Sequence, residues 1–337
     1  MASYDPMVTS TNDHPLAAIT GAAGYVGVNL VGLLRDAGWR LRTLDLRPLA
    51  GVPTDGIDHT IADVRSSEAL AEMFAGVDVV FHLAARITLA SEDPEAWDVN
   101  VSGPATVAAA AKAAGVPRMV HCSSVHAFDL ALAQPRLNEL SQRSTSPSRP
   151  VYDRSKYAGE LEVRKVIERG LDATIVNPTG IIGPIDLGPS RMNKVIDSAA
   201  RGRLPVVVRG GFDWVDVREV AAAMLAAVER GRTGENYLVS GHQATVLHLG
   251  RLAAALNGHL GPLTAIPGHL ARWLAPAGER ASRWFDSDVF TPASIGTLID
   301  DPTVEGDKAA SELGHHPRPL EDTVRDTVRW FEGEARL

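Results

Sequence analysis

Cysteine is almost absent from this chain: Cys122 is the single one in 337 residues, so no disulfide can form within it. Its setting, the apolar run "RMVHCSSV", suits a buried thiol. A reducing cytoplasm is the expected location. Aromatic residues are scarce, at 5%. No apolar run approaches the roughly 20 residues that a membrane-spanning helix needs, and no membrane association is expected. The first 14 residues, "MASYDPMVTSTNDH", lack the apolar stretch of a secretory leader and read as a flexible tail. Basic clusters are missing too. With a formal net charge of −8 and no Lys/Arg run that could track a phosphate backbone, nucleic acid is not an expected partner.

What is present is a hydrophobic content of 45%, enough for a large core with a smaller appended lobe. From residue 16 to about 180, β-branched runs alternate with Ala-rich stretches of helical length, the pattern of βαβ units in a parallel sheet. The strand candidates are 16–20, 40–45, 59–63, 78–83, 118–124 and 172–178. Residues 94–115 form the longest helical candidate, and 318–334 repeats apolar residues at helical spacing. Residues 129–150, rich in Ser, Arg and Pro, read as a long loop of the kind that often carries function. Beyond 180 strand candidates thin out, so the second half is expected to form a smaller lobe and return some strands to the sheet.

The first strand runs into "TGAAGYVGVNLVGLLRDAG", which places Gly21, Gly24 and Gly27 three apart ahead of an amphipathic helix. The first glycine permits a tight turn, the second lets backbone approach a pyrophosphate, and the third allows close packing of the helix. The N-terminus of that helix presents unpaired N–H groups to the anion. Asp45 ends the second strand 18 residues beyond Gly27, where a carboxylate can accept both ribose hydroxyls of an adenosine. It favours NAD over NADP, since a 2'-phosphate would meet its charge. Arg47 is close enough to weaken that preference, or else is a solvated loop residue. Asp63 either contacts the adenine or caps the helix starting near Ser66.

Tyr152 stands four residues before Lys156 in "VYDRSKYAGE". On a helix the two share a face. A phenol has a pKa near 10, too high for a base at neutral pH, and a neighbouring ammonium with an oxidised nicotinamide would stabilise its anion. Of the five tyrosines, only this one has lysine four residues on. The strand ending "HCSSV" delivers Ser123 and Ser124 to the C-terminal edge of the sheet, where ligands of parallel sheets bind.

With these pieces in place, the sequence resembles the extended short-chain dehydrogenase/reductase superfamily and its NAD-dependent epimerase/dehydratase family, from about residue 16 to 335. "TGAAGYVG", "DLR", "ADV", "HLAA", "DVNVSGPATV", "HCSSVHAF", "YDRSK", "NPTGIIGP", "DWVDVREVA" and "GENYLVSG" carry the resemblance by their order and spacing. The nearest likeness is to the dihydroflavonol reductase-like and 3β-hydroxysteroid dehydrogenase-like branch. It implies an α/β fold: a Rossmann-type doubly wound parallel sheet with a smaller C-terminal substrate-binding lobe. The tail would be 1–14, the NAD-binding domain 15–180, and the substrate lobe 181–337.

Carried across residue by residue, the resemblance implies that Ser124 polarises the substrate oxygen, Tyr152 exchanges its proton, and Lys156 holds the nicotinamide ribose. Ser123 is the alternative for the serine role; the match of "SSVHAF" favours Ser124. NAD would lie along Gly21, Gly24, Tyr25, Val26, Gly27, Asp45, Arg47, Asp63 and Val64. It would continue past Leu83, Ala84, Ala85, Asn100, Tyr152, Lys156, Asn177 and Pro178. Arg86, Ser124, His126, Tyr152 and Gly180 would face the substrate. His82 lies near the cofactor in the resemblance, and otherwise reads as a buried core histidine. His315 and His316 have no Cys or Asp at ligand spacing, so no metal is expected.

The same three residues serve dehydrogenases, epimerases and dehydratases in such families, so departures from pattern must choose the reaction. The 4,6-dehydratases follow the catalytic hydroxyl with Asp-Glu, whereas Val125 and His126 stand here. The nucleotide-sugar epimerases clamp a diphosphate with arginines; Phe212 occupies one such place, and no arginine lies between Trp284 and Pro317. Arg191, Arg201 or Arg209 could substitute. Phe212, Trp214, Trp273, Trp284, Phe285 and Phe290 punctuate the second half. The expected activity is NAD-dependent interconversion of a secondary alcohol and a ketone on an uncharged, moderately hydrophobic small molecule. A sugar epimerase and a non-catalytic dinucleotide sensor are the alternatives. A homodimer through 94–115 and 150–168 is implied.

Overall fold

The structure, a computed structural model, describes residues 14–188, 190–267 and 302–333. Trp273, Trp284, Phe285 and Phe290 lie outside the described residues, as do all but the last residue of the expected tail. The main sheet is built from β1 (Leu16–Thr20), β2 (Arg40–Asp45), β3 (Ile57–Ile61), β4 (Val79–His82), β5 (Arg118–Cys122), β7 (Ala173–Pro178) and β11 (Asn236–Val239). Among the described residues its order is β11-β7-β5-β4-β1-β2-β3, and every pairing is parallel. This is the expected doubly wound α/β fold. The chain moves outward from β1 to β2 and β3, then returns to the other side of β1 as β4, which makes the β1/β4 edge the switch point where ligands bind. β3 begins and ends two residues earlier than its expected span, so Asp63 sits in the loop beyond it.

Helices α1 (Tyr25–Asp36), α2 (Ser67–Phe74), α3 (Pro94–Ala113) and α4 (Val151–Ile167) supply the crossovers of the first half. Residues of α1 and of α6 (Val217–Arg230) pack on one sheet face around Ile19, Phe81 and Tyr237. The other face packs Leu44, Val80 and Met119 against α2, α3 and α4. Side chains alternate across a strand, so burial on both faces explains why the inner strands β1, β4, β5 and β7 read as largely apolar runs rather than as alternations.

The second half adds α5 (Arg191–Ala200), α7 (Val246–Leu256) and α8 (Leu320–Phe331). Its strands are β8 (Gly180–Ile182), β10 (Gly211–Asp216) and β12 (His242–Thr245) in one small sheet. Two-stranded pairs join β9 (Val206–Val208) to β13 (Thr264–Ile266), and β6 (Arg136–Leu137) to β14 (Thr303–Val304). A separate core of Ile196, Phe212, Trp214, Leu249 and Val324 holds this part together. β11 is the strand it returns to the main sheet. The halves are also tied at α1: the Tyr25 hydroxyl donates to Gly183 O (2.7 Å) and accepts from Asn193 Nδ2 (3.0 Å).

Candidate functional site

The glycine turn is built as its spacing predicts. Gly21 has φ +75°, and a Cβ there would sit 2.5 Å from Ala84 N, so a side chain would strike the backbone after β4. A Cβ on Gly27 would meet Gly21 O at 2.3 Å, which lets α1 start directly on the turn. Asp45 receives the N–H groups of Ala23 (3.0 Å) and Arg47 (3.1 Å). Its remaining lone pairs border a groove of about 370 Å³. Gly21, Gly24, Asp45, Arg47, Asp63, Val64, Leu83, Ala84, Ala85 and Arg86 line that groove. Leu44, Leu46, Ala62, Glu95 and Val99 line it too, and were not anticipated; the signal available was that each lies one or two residues from, or on the same helix edge as, a residue that was. A bare turn, an anion-facing helix end and a carboxylate at the rim fit a dinucleotide.

Arg47 is an exposed loop residue, 62% accessible, that also reaches back to Ala23 O (2.9 Å) and lies 3.7 Å from Asp45. Asp63 grips Arg65, whose guanidinium also reaches Asp98 on α3. That hydrogen bonding holds the Asp63 carboxyl below the usual carboxylate range. The cap of α2 is instead Ser66, which accepts from Ala69 N.

Several of the expected cofactor residues have their side chains engaged within the protein. The Tyr25 side chain is spent on Gly183 and Asn193, leaving only its backbone and those of Val26 and Gly27 at the helix end. The Asn100 amide is buried and saturated: its oxygen accepts from Arg86 N (2.8 Å), and its nitrogen donates to Arg86 O (2.9 Å) and Ser155 Oγ (3.0 Å). It shapes the groove wall through the backbone of Arg86. The Arg86 guanidinium itself lies against Asp93 and Glu95. Pro178 is buried at the end of β7, paired with Val239. Asn177 is completely buried and faces protein, as described below. His82 is a core residue whose Nδ1 meets Thr20 Oγ1 at 2.7 Å.

Ser124, Tyr152 and Lys156 come together at the C-terminal end of β5. Ser124 caps the short turn after the strand and accepts from His126 N (3.2 Å). Burial pushes the Tyr152 phenol well above its ordinary range, and the neighbouring Ser124 hydroxyl opposes that effect. Lys156 is buried and donates to Cys122 O at 3.0 Å. Burial lowers its pKa, and the Glu160 carboxylate acts in the opposite direction. Ser123 is excluded from the same role because its hydroxyl donates to Glu160 Oε1 at 2.6 Å, inside the protein.

Behind this trio lies a polar network that sequence reasoning missed. Glu160 has no exposed side chain. Its carboxylate accepts from Ser123, from Asn177 Nδ2 (2.7 Å), from Asn236 Nδ2 (3.0 Å) and from Arg143 (3.3 Å). Asn177 Nδ2 also donates to Ser124 O at 2.9 Å. Arg143 lies over the Phe128 ring, 3.7 Å from its centroid. Tyr152, Lys156 and Glu160 are spaced by four along α4, so one helix face carries all three; that spacing was the available signal.

On the open side, the His126 ring lies edge-on to Tyr152 (centroids 5.7 Å) and stacks on Phe212 (5.8 Å, 14°), which in turn meets Trp214 (5.7 Å). Gly180 lies beneath these rings: a Cβ there would strike Phe212 and Trp214 at 2.7 Å. It makes room for the aromatics and offers a ligand no side chain.

Fold and groove together define an NAD-dependent enzyme of the extended short-chain dehydrogenase/reductase type. A family model described as the NAD dependent epimerase/dehydratase family matches residues 17–240, and the chain belongs to that family. It is 33% identical over 327 residues to sterol demethylase protein B of Methylococcus capsulatus, covering 95% of this chain and 99% of that one. It is 31% identical to the 4-hydroxy-2-methyl-3-oxo-4-farnesyl-3,4-dihydroquinoline-1-oxide ketoreductase of Stigmatella aurantiaca, covering 92% and 95%. The solved structure of gox2253 superposes with a TM-score of 0.79 at 31% identity, covering 96% of this chain and all of that one.

Proposed function

We propose that the chain is an NAD-dependent oxidoreductase that interconverts a secondary alcohol and a ketone on an uncharged, moderately hydrophobic small molecule, working in the cytoplasm as a homodimer. The observation that carries this reading is the run of rings His126, Phe212 and Trp214 beside Tyr152. Such a wall favours an apolar ligand. Of the arginines that could have clamped a diphosphate, Arg201 is engaged by Asp197 on α5. The names of the two relatives, a sterol-processing protein and a farnesylated-quinoline ketoreductase, point to substrates of the same character.

When bound, NAD supplies the hydride acceptor, and NADH the donor. In reduction, Tyr152 gives its phenolic proton to the substrate oxygen while Ser124 holds that oxygen by a hydrogen bond. In oxidation the proton returns to Tyr152. Lys156 stabilises the phenolate form by its charge, and its ammonium is held in place by Cys122 O. Asn177 and Glu160 fix the backbone that carries Ser124.

The first test is to denature purified protein and assay the supernatant for NAD(H). A dehydrogenase must exchange its cofactor every turnover, so the expected result is little or none. A panel of apolar ketones with NADH should then show turnover. Near-stoichiometric bound cofactor, with turnover of a nucleotide sugar and of no ketone, would replace this reading by the epimerase.

A further inference from the structure

The segment between Ser124 and Tyr152 folds back on itself and delivers one charge to the interior. Phe128 and Arg143 form an isolated antiparallel bridge, with Asp129 N donating to Gln142 O (2.8 Å) and Ser144 N to Ala127 O (3.0 Å). The Arg143 guanidinium is thereby carried past the Phe128 ring to Glu160, whose side chain is wholly buried. Its fork gives one N–H group to Glu160 Oε2 (3.3 Å) and another to Asn236 Oδ1 (3.2 Å). Arg164 donates to the same Asn236 oxygen.

From there each amide in the network can point only one way. Asn236 Nδ2 donates to Glu160 Oε2 (3.0 Å) and to Asn177 Oδ1 (2.7 Å). Asn177 Nδ2 divides its two N–H groups between Glu160 Oε1 (2.7 Å) and Ser124 O (2.9 Å). An amide turned over would set its oxygen against the carboxylate, so Glu160 dictates that Asn177 offers nitrogen, not oxygen, to the Ser124 carbonyl. Ser124 O also accepts from Ala127 N (3.0 Å), and its Oγ accepts from His126 N (3.2 Å). A glutamine in place of Glu160 would present N–H groups to one of these donors. The direction of the network would be lost, although side-chain size would be kept.

We propose that Glu160, paired with Arg143, is a positioning residue for the reaction: its charge orients the Asn177 amide, which sets the Ser124 backbone and through it the hydroxyl that holds the substrate oxygen. This deepens the oxidoreductase reading above and rests on it for the role of Ser124. Lys156 lies one turn before Glu160 on the same helix, so one competing route is an effect of the carboxylate on that ammonium. Simple support of the fold by a buried ion pair is the other.

The test follows kcat for 1-tetralone with NADH in the full-length enzyme, with NADH affinity from a fluorescence titration. Glu160→Gln should lower kcat about tenfold and leave NADH affinity unchanged. Made in a Ser124→Ala enzyme it should have no further effect, since two changes on one path do not add. An equal loss in both backgrounds would place the action of Glu160 elsewhere, Lys156 included, and overturn the inference. The pair Arg143→Met and Glu160→Gln removes both charges, so no buried charge stands unpaired. Its melting temperature should recover relative to Glu160→Gln while kcat stays low; recovery of both would reduce Glu160 to support of the fold. Hydrogen exchange at the His126 and Ala127 amides needs no substrate. It should quicken in the charge-free pair, and unchanged exchange would also overturn the inference. Failure of the wild type to reduce any ketone would count against the ketone reading instead, and the exchange rates would then decide alone whether Glu160 sets Ser124.

Discussion

At the scale of single residues, burial sets the terms. It raises the Tyr152 phenol and lowers the Lys156 ammonium, because removal from water disfavours the charged form of each. Tyr152→Phe removes one oxygen, and turnover is expected to fall by about 10²- to 10⁴-fold, with NAD affinity little changed in a titration of cofactor binding. A sensor with no chemistry would show no such loss. Two other buried groups govern stability. Burial, aided by the charge of Lys156, takes the His82 imidazole down to about 3, and His121, stacked on it at 5.1 Å, also lies well below its ordinary value. The folded pKa values are depressed, so the unfolded chain takes up protons first. The stability that these histidines contribute is present above about pH 6.5 and is lost as pH falls toward 3, at about 1.4 kcal/mol per pH unit for each proton. Urea unfolding between pH 7 and 5 should show the slope, and His121→Phe should flatten it. An unchanged slope would assign the acid loss to carboxylates.

At the scale of elements, α3 and α4 show what a helix pair needs in order to hold a site. Pro104 inside α3 has no N–H, which frees the Asn100 carbonyl one turn earlier. Gly159 of α4 fills that place: a Cβ there would lie 2.3 Å from Asn100 O. Gly159→Ala would gain about 1 kcal/mol in helix propensity and lose about 1–3 kcal/mol to overpacking against a backbone atom that cannot rotate away. The clash wins, so the melting temperature should drop, and kcat should drop with it because Tyr152 and Lys156 ride on the same helix. A more stable Gly159→Ala protein would refute this account of the packing. The pairing also marks what was legible. The β-branched runs, the glycine turn and the Tyr-Lys spacing are local, and each landed within a residue or two of its expected place. Asn100, Asn177 and Tyr25 were recognisable as residues of interest, yet their partners lie 14 to 168 residues away. Spacing within one element carries no information about partners that distant.

At the scale of the whole molecule, the first half could be read because parallel strands buried on both faces leave strong apolar signals. The second half could not, because its strands are two to six residues long and several carry Gly, Asp or His. Charge placement was equally opaque: Arg143, in what read as a polar loop, ends over Phe128 and against the buried Glu160. Assembly is a further expectation at this scale. Trp97 on α3 and Leu161 on α4 are exposed, and the proposed homodimer would cover them. Leu161→Glu should shift the mass measured by light scattering after gel filtration from two copies toward one. An unchanged dimer mass would place the interface elsewhere.

The tie between Tyr25 and residues 183 and 193 has one more consequence. The helix that starts on the glycine turn is bolted by its first residue to the other half of the chain, so anything that steadies the turn also restrains the opening of that second half. Hydrogen–deuterium exchange should record this linkage. On addition of NAD, amides near Gly183 and Asn193 should slow along with those of the turn, and in Tyr25→Phe the two regions should respond separately.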